Sequence, residues 1–231
     1  MASADIRSRI VEAALRLLNE QGADAVSTRA VSAAAGVHAP AIYRIFGDKR
    51  ELMDAVGSRG FASYLERKTT AAPHPDPVDD LRRGWHMHLE FGLENPALYA
   101  AIFGTPREGG PSPAETQAHD VLAGIVHRIA RAGRLAIPEG VATALIHATG
   151  RGTVLSLIGL PENDRDPELA THALEMLLAY VTTSPPAEHA ESALASAAVT
   201  VRAGLGSSDA LSPGERLVMG EWLDRMSRTP E

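Results

Sequence analysis

Between His38 and Glu51 the chain gathers side chains suited to gripping a phosphate and reading polar edges. Asp48 and Glu51 stand at capping-box spacing, so a helix is expected to start there with Lys49 in its first turn. Lysine is a poor partner for the positive end of a helix dipole. The placement makes sense if the ammonium and the adjacent free N–H groups face a phosphate. Tyr43 fits a phosphate contact too, because Ile42 and Phe46 already fill the inner side of its segment. Arg44 can reach the O6/N7 edge of guanine or a phosphate, or stand as an ordinary solvated charge. His38 is the other polar group placed for direct readout. Other chemistries lack their residues. With no cysteine there is no disulfide, thiolate zinc site or cysteine nucleophile. His86 and His88 are two apart and diverge on a helix, while His119 and His127 lie two turns apart, too far to share an ion. No Walker loop, GxGxxG, GxSxG or HExxH motif occurs. The expectation is a protein that is not an enzyme, with no metal and no cofactor.

The elements that must position these groups are short and local. Thr28 is placed to cap a helix whose inward positions are Ala30, Val31 and Ala34. Gly36 sits where a left-handed residue would end it. A second short helix then runs from about Ala39 to Phe46, with Val37, Ile42, Ile45 and Phe46 on its apolar side. Two short helices joined by a tight glycine turn form a DNA-binding module whose second helix enters the major groove. Its first turn holds Ala39, Pro40 and Ala41, none of which donates a side-chain hydrogen bond. Methyl and ring contacts to thymine are what they permit, leaving polar readout to His38 and Arg44.

This stretch resembles the DNA-binding domain of the TetR family of bacterial transcriptional regulators. The resemblance is carried by Thr28 with Ala30-Val31, Ala35-Gly36-Val37, Ile42-Tyr43, Phe46, and Lys49 with Leu52, within roughly residues 5–60. It implies that Thr28 and Lys49 complete a clamp on the DNA backbone. Arg29 is a further contact or a solvated charge. It also implies two modules on a two-fold homodimer, about 34–36 Å or a multiple apart, on a palindromic operator in double-stranded DNA. Residues 81–103 resemble, more weakly, the start of ligand-binding domains in the same family.

The rest of the chain reads as helix, giving an all-α fold: a three-helix DNA-binding domain over residues 1–56, a helical ligand-binding and dimerisation domain over 57–184, and a helical extension over 185–231. The first helix is expected over about Ala4–Glu20, with Gly22 as its stop. Further helices are expected at 78–94, 97–103, 113–134, 139–159 and 167–183, separated by proline and glycine breakers. In the extension, an Ala-rich stretch near 187–203 precedes Ser212-Pro213-Gly214-Glu215, a good helix start. The extension either covers the core or lengthens the dimer. By resemblance the 139–159 and 167–183 helices pair with their copies through Ala144, Ala148, Arg151, Leu155, Ile158, Ala170, Leu174, Leu177 and Val181. Gly150 and Gly152 allow close helix approach.

The expected effector pocket lies among Trp85, His88, Phe91, Tyr99, Phe103, Leu122, Val126 and His147, apolar walls with a few polar groups. No permanent charge stands among them, which favours a neutral or weakly polar small molecule. The net charge of −7 lies wholly in the body, since residues 1–56 carry seven basic and seven acidic side chains. DNA contact is thereby confined to the head, and nonspecific affinity is modest. No apolar run nears the length needed to span a bilayer, so a cytoplasmic protein without a membrane partner is expected. Together these features imply a ligand-responsive repressor. The alternative is a helical-bundle enzyme or small-molecule carrier with a relic DNA head.

Overall fold

The computed structural model describes residues 2–70, 72–105, 109–166, 168–183, 197–198, 201–202, 205–207 and 210–226. These are helical apart from turns and one isolated antiparallel bridge, Leu135 to Thr182. In chain order the helices are α1 (Ala2–Gln21), α2 (Thr28–Ala35), α3 (Ala39–Phe46), α4 (Lys49–Thr70), α5 (Pro77–Glu94), α6 (Pro96–Phe103), α7 (Pro113–Arg131), α8 (Glu139–Ile158), α9 (Leu169–Val181) and α10 (Pro213–Met226). Their starts follow local rules. Asp76 accepts from the Val78 N–H to cap α5, and Ser112 with Glu115 forms a full capping box on α7. Ser212 and Glu215 make the same reciprocal pair on α10.

In the head, α1 lays Ile10, Val11, Ala14 and Leu18 against α2 and α4. The cap of α2 is Ser27, whose hydroxyl accepts from the Ala30 N–H, so Thr28 is the first helical residue and not the cap. Of the expected inward positions Val31 is buried and Ala30 half-buried, while Ala34 is exposed and Ala35 takes its place in the core. Gly36 takes φ 63° and ψ 39°, and the Val37 N–H bonds back to the Ser32 carbonyl, a Schellman closure.

In the body, α5, α7 and α8 pack together, α9 covers α8 and α5, and α6 wedges between α1, α4 and α8. One continuous apolar core joins head and body. The loop before α8 is fixed to the end of α9, with the Ala136 N–H on the Val181 carbonyl and the Thr183 N–H on the Arg134 carbonyl. α8 corrects one expectation, since its 20 residues are long and apolar enough by composition to cross a bilayer. Here its inner side, with Ala142, Ile146, Val154 and Leu157, is buried against the bundle instead. Most of the Ala-rich stretch near 187–203 lies outside the described residues. Around α10, Ala198, Leu205 and Leu223 form a small cluster separate from the main core.

Candidate DNA interface and effector cavity

The second helix of the head, α3, buries Ile42 and Phe46 and turns its other side outward. Tyr43 is 55% exposed, and Arg44, His38 and Pro40 are exposed with it, while Ala39 is half-buried. His38 occupies the N-cap but makes no side-chain capping bond, so its ring is free of the helix. The hydroxyls of Thr28 and Tyr43 lie 3.4 Å apart and join the start of α2 to the middle of α3. Arg29 is exposed one residue on. From behind, the Arg7 guanidinium lies 5.1 Å over the Phe46 ring and ties α1 to α3. Gly47, at φ 72°, then turns the chain so that α4 begins at Lys49. Asp48 accepts from the Glu51 N–H at 2.8 Å, as its spacing predicted, and Lys49 projects from the first turn into solvent. Thr28, Arg29, His38, Tyr43, Arg44 and Lys49 thus stand along three successive helices and the turns between them. Hydroxyls and cations so arranged are of the kind that can engage a polyanion.

In the body, a cavity of about 40 Å³ lies between α4, α5, α7 and α8. Of the eight residues expected around it, Trp85, His88, Leu122 and His147 line it. Phe91, Tyr99, Phe103 and Val126 do not. They are buried in the core beside it, where Phe61, Tyr64, Phe91, Tyr99 and Phe103 stack with ring centroids 4.7–6.3 Å apart. The His88 Nε2 and Tyr99 hydroxyl share a hydrogen bond of 2.8 Å. Burial, reinforced by Lys68 and His147, drives the His88 pKa down to about 3, so the ring is neutral. Burial also lowers His147, with Arg151 and His119 acting in the same sense. The Nε2 of His147 is buried without a hydrogen-bond partner. Trp85 is held by its indole N–H, which donates to the Ala170 carbonyl at 3.1 Å.

Sequence reasoning missed the charged member of this wall. Lys68, near the end of α4, lines the cavity, and its ammonium donates to the Tyr64 hydroxyl at 2.9 Å. The residue is only half-buried by surface area, yet enough protein surrounds its ammonium to lower the pKa to about 8 by desolvation. A wider depression of about 570 Å³ lies between α1 and α4. It is an open groove rimmed by the Arg59–Glu12 ion pair, with no enclosing apolar wall.

Bacterial regulatory proteins of the tetR family match residues 10–56. A tetracycline repressor, class A, from Escherichia coli is 41% identical over 73 residues, 32% of each chain. An HTH-type transcriptional regulator of Mycobacterium tuberculosis is 30% identical over 157 residues, 64% of this chain and 62% of that one. The chain thus spans about a third of the first relative's length and under two thirds of the second's. In fold, the transcriptional regulator FadR of Bacillus subtilis, solved with stearoyl-CoA, superposes with a TM-score of 0.58 at 18% identity, covering 74% of this chain and 97% of that one.

The head, over residues 10–56, is that of the tetR family of bacterial regulatory proteins.

The matched region contains the whole of α2 and α3, the turn between them and the start of α4, and with these every DNA-contact residue expected from sequence. The body departs from expectation on its outer face. Leu174, Leu177 and Val181 point into the chain's own core and cannot form a seam between copies. The large apolar residues left exposed on α8 and α9 are Val141, Leu145, Leu169, Met176 and Tyr180. Ala144 and Ala148 are exposed beside them. Gly150 is buried against Trp85 and His88, whereas Gly152 faces open space.

Proposed function

We propose that this protein is a dimeric transcriptional repressor that binds a palindromic operator in double-stranded DNA and is released by a small molecule. The observation that carries the reading is α4. This single 22-residue helix, about 33 Å long, bears Lys49 at its outer end and Tyr64 and Lys68 in the cavity wall at the other. A side-chain rearrangement in the cavity therefore acts on the helix that anchors the phosphate contact. The cavity supports the ligand-responsive part of the reading. Its 40 Å³ holds little more than water, so an effector must shift side chains to enter. Such a ligand drives release only through tighter binding to the arrangement that fits DNA less well. The exposed stripe on α8 and α9 supports a two-fold dimer, which places two copies of α3 on successive major-groove faces.

The test is binding of the purified protein to the duplex upstream of its own gene, against a scrambled duplex, across a salt series. Preference for the upstream duplex that persists as salt rises is the expected result. Equal binding to both that vanishes with salt, together with no consensus from selection on random duplexes, would leave the head without a reading function.

A further inference from the structure

We propose that the cavity between α4, α5, α7 and α8 takes a weak organic acid, with its apolar body against Trp85, Leu122 and Ile146 and its anionic head on the ammonium of Lys68. This rests on the reading of that cavity as the effector site and names the ligand's chemistry. It departs from the neutral ligand that the sequence suggested.

An ammonium has three donors and no acceptor. Lys68 satisfies one of them, on the Tyr64 hydroxyl. Among the described residues no carboxylate lies within 4.0 Å of it. The buried carboxylate nearest in sequence to this part of α5, Asp80, is already engaged by Arg83, Arg128 and the His74 N–H. A cation drawn into protein without a counter-charge is costly unless something pairs with it. Every other residue of the cavity wall is apolar or neutral, His88 being held by Tyr99 and Tyr64 being kept protonated by burial. The wall therefore carries one net positive charge, which an anion would complement.

The backbone makes room for that charge. A Cβ on Gly84 of α5 would stand 3.2 Å from Lys68 Cε and 3.5 Å from its Nζ. The glycine lets the lysine stem cross α5. Lys68, Gly84 and Ile125 line both the inner cavity and an outer cleft of about 330 Å³. The flexible lysine stem is thus the movable part of the partition, and its swing would enlarge the cavity while keeping the ammonium on the ligand. At another part of the wall, the unpartnered Nε2 of His147 offers a second hydrogen-bonding group for a ligand oxygen.

The experiment compares matched acids and amides: benzoate with benzamide, phenylacetate with phenylacetamide, octanoate with octanamide. Affinities are measured by calorimetry, with thermal shift in support, at pH 7 and constant ionic strength. At least one acid is expected to bind wild type about tenfold or more tightly than its amide. That ratio should fall to about one in Lys68→Met and persist in Lys68→Arg. Equal affinity of acid and amide, an unchanged ratio in Lys68→Met, or no binding by any acid of the three would overturn the proposal. The wild-type comparison decides even if a variant folds poorly. DNA binding followed in the same samples separates the two readings. An acid that binds through Lys68 but leaves DNA affinity untouched supports the anion site and refutes its role as effector site.

Discussion

Lys49 and Arg44 are expected to make different kinds of contact with DNA, and the difference is measurable. Lys49 stands at a helix start with its charge in solvent, so a phosphate contact made there would read no base. Lys49→Ala is expected to weaken binding to all duplexes alike and to reduce the salt slope by about one unit, as seen in anisotropy titrations. Tyr43→Phe should also weaken all sequences, since it removes the hydroxyl paired with Thr28. Arg44→Ala should instead relax preference at one base pair by about 1–3 kcal/mol if it reads guanine. Unchanged sequence preference in that variant would sink the readout assignment. Lys68 gives a prediction with a definite sign. Its folded pKa of about 8 lies below the unfolded 10.5, so the charged form is disfavoured in the native state. The resulting instability is fully present below about pH 8 and disappears as pH rises towards 10.5. Tyr64, His88 and His147 share the cavity with it, and Asp80, Arg83, Asp120 and Arg128 line the outer cleft. Comparison with Lys68→Met cancels their titrations to first order. The variant should be the more stable protein at pH 7, with the gap closing by pH 10, as read by thermal melts across that range.

At the scale of the helix, the tightest approach in the body is between α5 and α8. A Cβ on Gly92 would collide with Val154 Cγ1 and stand 3.1 Å from Tyr99 Cδ2, both in fully buried side chains. Valine is stiff at χ1 and cannot swing aside. Gly92→Ala is therefore expected to destabilise by about 1–3 kcal/mol in urea unfolding, despite the better helix propensity of alanine. Asp80 pins the start of α5 to α7 and to the turn before it. Burial pushes its carboxyl up, but the His74 N–H, Arg128 and Arg83 outweigh this and hold it below the usual range. Its contribution is present above the unfolded carboxylate pKa of about 4 and fades as pH falls through the lower folded value. Asp80→Asn should cost about 1–3 kcal/mol at pH 7 and flatten the acid limb of the stability curve. These elements also show why some features were legible and others were not. The span of α3, the Gly36 turn and the Asp48 cap follow from residues a few positions apart, where capping and left-handed glycine act directly. Ser27 against Thr28 is the one-residue ambiguity left by adjacent hydroxyls. The cavity wall is a tertiary fact. Lys68 follows Glu66-Arg67 and reads as a solvated helix end, and only Gly84 on another helix admits it. Likewise Phe91, Tyr99 and Phe103 carry no local mark that separates packed core from cavity lining.

For the whole molecule, the decisive feature is an apolar stripe that none of the described residues covers. Met176 and Tyr180 are 66% and 62% exposed at i, i+4 on α9, and Val141 and Leu145 repeat that spacing on α8, which packs beside it. Because their side chains face solvent in the isolated chain, charged replacements should leave the fold within about 0.5 kcal/mol of wild type. They would still place like charges opposite each other across a two-fold seam. Met176→Glu combined with Tyr180→Glu is therefore expected to give a monomer in light scattering at micromolar concentration, with an unchanged circular dichroism spectrum. Binding to a palindromic operator should then fall by tenfold or more, because two linked heads share one association and single heads do not. Binding to an isolated half-site should be the same in both proteins. A dimer that survives the double variant would move the seam to the exposed side of α10, where Leu217, Val218, Trp222 and Met226 form another apolar face exposed among the described residues. The repressor reading makes a stronger demand than dimerisation alone. The seam must hold the two heads at a groove-matched separation, so that a shift of α4 at the cavity changes that separation. A monomeric variant that binds half-sites normally but no longer loses DNA on adding ligand would place ligand control in the spacing of the heads, and not in either head's own surface.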